Sequence, residues 1–139
     1  MRLRDKNTIS ALKGILKRFN IENIDTDAYL DAIVSHAGAL PRIAIAIPGG
    51  GYRAMMNGAG SIAVFDNRTT NSNNVGHLGG ILLAATYLSG LSGGSWVVGN
   101  LFMQNFTSVE SILSTSGGFL STLWQFDDST IEGLLELDF

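Results

Sequence analysis

Ser92 stands in the stretch YLSGLSGGSW, Tyr87 to Trp96, with Gly90 two residues before it and Gly94 two residues after. The pattern is G-x-S-x-G. Small residues on both sides permit a sharp strand-to-helix turn that lifts a serine oxygen clear of a sheet, where it can act as a nucleophile. The amide of the following residue, Gly93, can then help bind an oxyanion, and a helix N-terminus adds partial positive charge at the same point. The alternative is an ordinary turn serine that caps the helix with its hydroxyl.

A nucleophilic serine needs a base. Both histidines, His36 and His77, precede Ser92 and none follows it. The order Ser, acid, His cannot be assembled here. A different order, a serine–aspartate pair or no catalysis remain. Position alone makes His77 a loop or helix-start residue.

A second glycine cluster lies at Gly49, Gly50 and Gly51 in PGGGYRAM. Successive glycines leave backbone amides open to a negative oxygen, as in phosphate turns and oxyanion holes. Arg53 falls on the first turn of the helix that follows, where a guanidinium can hold a phosphate with two hydrogen bonds. Neither G-x-x-x-x-G-K-[ST] nor G-x-G-x-x-G is present, which counts against a nucleotide site. One cluster offers an activated oxygen, and the other offers oxyanion donors and a cation. The chemistry that joins them is hydrolysis of an ester with a phosphate nearby. Without a base, the same parts would make a non-catalytic anion- or lipid-binding module.

The elements around these turns follow from periodicity. Ile9, Leu12, Ile15, Leu16 and Phe19 share one face of a first helix. A second helix begins near Asp25 and Asp27, with Gly38 as its C-cap. Arg42 to Ile47 reads as a buried strand, and YRAMMNGAGSIAVFD reads as a helix. After the polar loop NRTTNSNN, the spacing predicts a helix over Leu78–Ala85, a strand over Thr86–Leu91 and a helix from Ser92 onward. The rest of the chain carries mixed helix signals and no clear strand. Strand, glycine turn and helix thus occur twice, which gives the α/β class.

Bulk properties bound the reading. The chain has 139 residues, enough for one domain with a core. The net charge is −3 and no basic run exceeds two residues, which points away from a nucleic-acid partner. There are no cysteines, so disulfides and thiolate metal sites are excluded. The N-terminus lacks the apolar core and cleavage site of a signal peptide. Leu78 to Val109 carries no charged side chain, but its six glycines and many polar residues favour a covered sheet with its helices over a membrane span.

The segments GGGYRAM, NGAG, FDNRT, GHLGGILLAATYLSGLSGGSW and VVGNLF, in this order, resemble the fungal phospholipase B (lysophospholipase) family, whose wider relatives are the cytosolic phospholipase A catalytic domain and the patatins. The strong similarity covers about residues 41–102, with weaker similarity toward both ends. The resemblance implies a three-layer α/β/α sandwich, of which residues 1–139 form the N-terminal part. It implies a serine esterase that releases fatty acid from lysophospholipids and phospholipids through an acyl-serine intermediate and a Ser–Asp dyad, with no metal and no cofactor. Ser92 matches the nucleophile, Gly50 and Gly51 the oxyanion-hole glycines, and Arg53 the arginine proposed to hold the substrate phosphate. The implied partners are the phospholipid or lysophospholipid substrate and, transiently, a membrane or micelle surface. The implied location is secreted or cell-surface, and Asn67-Arg-Thr and Asn105-Phe-Thr are glycosylation sequons.

The chain departs from the family in two places. Pro48 stands where the family usually has serine, which removes one amide donor before the glycines. Members are several times longer, and their dyad aspartate lies far downstream. Asp127, Asp128 and Asp138 follow Ser92 without resembling that aspartate's motif, and Asp66 belongs to the FDNRT segment. The chain is therefore expected to be a fragment, a truncated frame or a degenerate copy.

Overall fold

A computed structural model describes residues 3–19, 21–36 and 40–114. They fall into two units, Met1–Val109 and Glu110–Phe139. The first unit holds nearly all the described elements. Its architecture is a two-stranded parallel sheet with helices before, between and after the strands.

The sheet comes from the two apolar runs. β1 spans Ile43–Ile47 and β2 spans Ala85–Gly90. In β1 the isoleucines and alanines alternate, so Ile45 and Ile47 are buried while Ala44 and Ala46 face outward. The strands pair in parallel with Ile45 opposite Leu88 and Ile47 opposite Gly90, after an irregularity between Ile43 and Ala44. The end of each strand therefore lies beside the end of the other. Parallel neighbours require a long crossover, and both glycine turns leave the sheet at the same carboxyl end.

That crossover starts with α3, Gly51–Phe65. The helix after β2 is α5, Gly93–Met103. The two pack against each other through Met55, Ile62, Val97 and Leu101, each at most 1% exposed. Burial of each such side chain contributes about 1.5–3 kcal/mol. Gly58 lets α3 sit directly on the sheet, because a Cβ there would lie 2.5 Å from Ile47 Cγ2.

Two earlier helices pack on each other, α1 (Leu3–Phe19) and α2 (Thr26–Ser35). Asp25 caps α2 by accepting a 2.9 Å hydrogen bond from the Ala28 amide. The cap at the other end is His36, and the expected C-cap Gly38 lies outside the described residues. Lys13 reaches across to Asp27 at 2.9 Å, a hydrogen bond that lowers the Asp27 pKa and raises that of Lys13. Both groups are exposed, so the bridge fixes orientation and adds little stability.

The helix expected over Leu78–Ala85 is a correction. Only one turn forms, α4 at Ile81–Ala84, and β2 already begins at Ala85. Gly80 sits at φ 104° in the left-handed region, which stops a right-handed helix from starting earlier. Its amide donates to the Phe65 carbonyl at 2.9 Å, and Arg18 of α1 donates to the Gly79 carbonyl. The polar loop before α4 is a chain of turns, opening with the Thr69 amide donating to Asp66 and the Ser72 amide donating to Thr69.

That loop hangs on Asp66, which follows α3 and is 3% exposed. Its carboxylate accepts the Arg68 amide at 2.9 Å and the Arg68 guanidinium through both oxygens, at 2.7 Å from Nη2. The hydrogen bond to Asp66 raises the Arg68 pKa. Removing the half-exposed arginine leaves a buried carboxylate without its cation, which is worse than removing both. Arg68→Ala is therefore expected to lower unfolding stability by about 2 kcal/mol in a urea titration. The double variant with Asp66→Ala is expected to lose no more than the single one, and a strictly additive loss would contradict this pairing.

The second unit begins at Glu110. Its described part lies in α6, Val109–Ser114, where Ser114 Oγ donates to the Ser111 carbonyl at 3.0 Å. Among the described residues, no helix is long and apolar enough to cross a membrane.

Candidate active site

Ser92 occupies the turn between β2 and α5, at φ 51° and ψ −121°. This is a sparsely populated conformation for a residue with a Cβ, and it costs of order 1–3 kcal/mol. Ser92 is the N-cap residue of α5, yet its side chain makes no capping hydrogen bond. The reading of Ser92 as an ordinary capping serine is thereby removed. The turn is held by its neighbours. The Gly94 amide donates to Leu91 at 2.9 Å, the Ser95 amide to the Ser92 carbonyl at 2.8 Å, and Ser95 Oγ to the Gly90 carbonyl at 2.8 Å. The Gly93 amide remains as the first orphan donor of the helix.

The glycine loop is brought against this turn. Gly50 has φ 136° and Gly51 has φ 62°, values suited to glycine. A Cβ on Gly49 would lie 3.1 Å from the Ser92 Cβ and 3.3 Å from the Leu91 carbonyl oxygen. A Cβ on Gly93 would collide with the Gly51 carbonyl, and one on Gly94 would lie 2.5 Å from the Ile47 carbonyl oxygen. The two turns thus approach closely, and at Gly93 and Gly51 they do so backbone to backbone. The N-termini of α3 and α5 converge on Ser92, and both bring orphan amides and positive partial charge. A little further out, the rings of Tyr52 and Trp96 meet edge-to-face, with centroids 6.0 Å apart.

Arg53 is exposed on the first turn of α3. With Gly49 and Gly50 it lines the mouth of a 760 Å³ groove that runs between β1 and α3 to Phe65. Ser92 is not among the residues that line this groove.

His36 closes α2 and His77 lies in the loop before α4, where its contact is through the backbone and not the ring. His36 Nδ1 lies 3.0 Å from the Ala32 carbonyl at the end of α2, and the His77 carbonyl accepts from Arg18 Nε at 3.4 Å. Asp66 is committed to Arg68. Asp127, Asp128 and Asp138 lie outside the described residues. Of the sequons, Asn67 is exposed in the turn after α3. Asn105 is also exposed, at φ 52° just past α5, where a helix-ending turn takes it out of the helix itself.

The sequence names Gly49 only as part of the glycine cluster and assigns a role neither to it nor to Ser95. Gly49 is the glycine that abuts Ser92, and Ser95 ties the turn back to Gly90. The signal for both was position, first in the glycine triplet and three residues beyond the serine.

Comparison with known proteins gives one family. The lysophospholipase catalytic domain matches residues 43–138. Over 133 residues, the chain is 49% identical to lysophospholipase 2 of Aspergillus fumigatus, covering 96% of this chain and 22% of that protein. It is 46% identical to a lysophospholipase of Penicillium chrysogenum over 96% of this chain and 21% of that protein. Against a lysophospholipase of Kluyveromyces lactis it is 40% identical over 94% of this chain and 20% of that protein. The chain thus spans only about a fifth of the relatives' length. No solved structure matches it. With two-thirds of its residues inside the family's catalytic-domain pattern and both glycine turns within that match, the chain belongs to the lysophospholipase catalytic-domain family.

Proposed function

We propose that this chain is the N-terminal part of a lysophospholipase of the phospholipase B type, a serine hydrolase with a three-layer α/β/α catalytic domain, and that Ser92 is its nucleophile. The observation that carries the reading is the conformation of Ser92. It is held at φ 51° on a strand-to-helix turn, with no capping bond and with a glycine loop pressed against it.

In this reading Ser92 Oγ attacks the acyl carbonyl of a lysophospholipid, and its proton passes to an aspartate supplied from beyond the residues described. The amides of Gly50, Gly51 and Gly93 receive the oxyanion of the tetrahedral intermediate, assisted by the two converging helix N-termini. Arg53, a few residues from the loop, holds the phosphate of the same substrate. Collapse breaks the ester bond. The proton returns to the departing glycerol oxygen, and an acyl-Ser92 ester remains. Water then attacks this ester with the aspartate as base, which releases fatty acid and restores Ser92. A membrane or micelle surface presents the substrate, and Asn67 and Asn105 carry glycans on a secreted or cell-surface protein.

The test uses a fusion in which this chain replaces the matched 133 residues of the Aspergillus fumigatus protein. Treated with a fluorophosphonate and digested, the fusion is expected to carry the adduct on the peptide containing Ser92. An adduct on another serine would assign the nucleophile elsewhere and sink the proposal.

A further inference from the structure

Both amides that could hold the Ser92 hydroxyl in a helix cap are already engaged. A capping serine accepts from the amide two or three residues further on. Here those amides belong to Gly94 and Ser95. The Gly94 amide donates to the Leu91 carbonyl at 2.9 Å, and the Ser95 amide donates to the Ser92 carbonyl at 2.8 Å. Ser92 is accordingly an N-cap residue without a side-chain bond, and it is exposed. A nucleophile needs this state, because a hydroxyl turned back onto its own helix points away from a substrate.

This is not the conformation that an N-cap residue takes by default. Ser92 lies at φ 51° and ψ −121°, whereas an ordinary N-cap residue is extended, as Asp25 is at φ −73° and ψ 94°. A strained residue persists only where its surroundings over-determine it. Three hydrogen bonds close the turn on itself. Two join backbone to backbone, Gly94 to Leu91 and Ser95 to Ser92. The third is made by the Ser95 hydroxyl, which donates to the Gly90 carbonyl at 2.8 Å. It straps the first turn of α5 to the last residue of β2, so its two ends lie on either side of Ser92 in the chain. Gly90 makes room for the strap, since a Cβ there would lie 2.7 Å from the Ser95 nitrogen. Of the three bonds it alone comes from a side chain, so a substitution can remove it and leave the backbone groups in place.

We propose that Ser95 is a positioning residue. Its bond to Gly90 keeps the Ser95 amide on the Ser92 carbonyl, and so keeps the Ser92 hydroxyl out of the cap and free to attack. This deepens the reading of Ser92 as the nucleophile and rests on it. With the strap cut, Ser92 relaxes toward an extended N-cap and its oxygen takes the Ser95 amide. The loss is one of geometry and not of stability. Replacement of the exposed serine by alanine gives up one hydrogen bond, but alanine is the better helix former, and the two effects offset each other.

The test is release of fatty acid from lysophosphatidylcholine by the fusion with the Aspergillus fumigatus remainder, carrying Ser95→Ala or Ser95→Thr. Ser95→Ala is expected to lower kcat about tenfold, the scale of a small misplacement of a reacting atom, and to leave KM within about twofold. Ser95→Thr keeps the hydroxyl and is expected to bring kcat back to within about twofold of the parent. Fluorophosphonate labelling of the Ser92 peptide is expected to slow in Ser95→Ala by the same factor as kcat, while the urea midpoint stays with the parent's. An unchanged kcat in Ser95→Ala overturns the proposal. So does a fall in kcat that Ser95→Thr does not rescue, or one that comes with a lowered urea midpoint, since a merely structural role gives those results. Ser92→Ala in the same fusion separates the two readings. If it stops release while Ser95→Ala leaves release at the parent's rate, the nucleophile stands and the strap falls. If Ser92→Ala leaves release intact, both fall.

Discussion

Ser92→Gly is expected to make the unit more stable while removing its chemistry. At φ 51° and ψ −121° the serine Cβ is the source of the strain, and glycine occupies such regions without it. Relief of about 1–3 kcal/mol, less about 0.5–1 kcal/mol for the greater freedom of glycine in the unfolded chain, leaves a net gain of about 1 kcal/mol. Ser92→Ala keeps the Cβ and therefore the strain, so its stability stays within about 0.5 kcal/mol of the parent. Urea titration of the 139-residue chain separates the two variants. In the fusion, both are expected to lose fatty-acid release from lysophosphatidylcholine by about 10⁴-fold or more, as removal of a nucleophile does elsewhere. The pairing of higher stability with lost turnover identifies a residue strained for chemistry. A glycine variant less stable than the alanine one would show that the turn is relaxed. Surviving release in either variant would show that Ser92 is not the nucleophile.

The second large effect is expected at Gly93. Its Cα lies so close to Gly51 that a methyl group would overlap the Gly51 carbonyl and lie 3.1 Å from the Gly51 nitrogen. Both sides of the contact are backbone, so no rotamer change relieves it. The starts of α3 and α5 would have to move apart. Overpacking of this kind costs about 3 kcal/mol. The same movement displaces the amides of Gly51 and Gly93 from the oxyanion they are proposed to share, which is expected to cost about 10²- to 10³-fold in turnover by the fusion. Gly60→Ala is the contrast. It lies inside α3, where an added methyl group would meet nothing within 4 Å, and it is expected to stabilise the chain by about 0.5–1 kcal/mol. Equal stability of the Gly93→Ala and Gly60→Ala chains would refute the close approach of the two turns.

Both glycine turns and the strands and helices around them could be read from residue order. Ile43 to Ile47 alternates cleanly with alanine, and each strand runs into glycines that end it. The α/β class follows, and the structure has it. The stretch GHLGGILLAATYLSGL was harder. It is apolar almost throughout, so helical and strand periods both fit. The division is made by Gly80, whose positive φ no local pattern reveals, and by pairing with β1, which is a non-local event. Gly49 stands out from its cluster only in the structure, for a related reason. Which of three consecutive glycines abuts Ser92 depends on the register that places Ile47 opposite Gly90, and that register is a property of the pair of strands. The uncapped state of Ser92 could not be read either, since a capping serine and a nucleophile have the same neighbours in sequence.

The parallel pairing of β1 with β2 also bears on how the site comes into being. Ile47 and Gly90 are neighbours in space but are separated along the chain by α3, the loop anchored on Asp66, and α4. Contacts between such distant residues carry the loop-closure entropy of everything between them and form slowly. α3 and the Asp66–Arg68 turn are local and can form early. The junction of Ser92 with Gly49 cannot exist until β2 has found β1. During synthesis, a ribosome that has released residues 43–84 has made the glycine loop and its helix but no site. The candidate site waits for the last strand of the crossover to arrive.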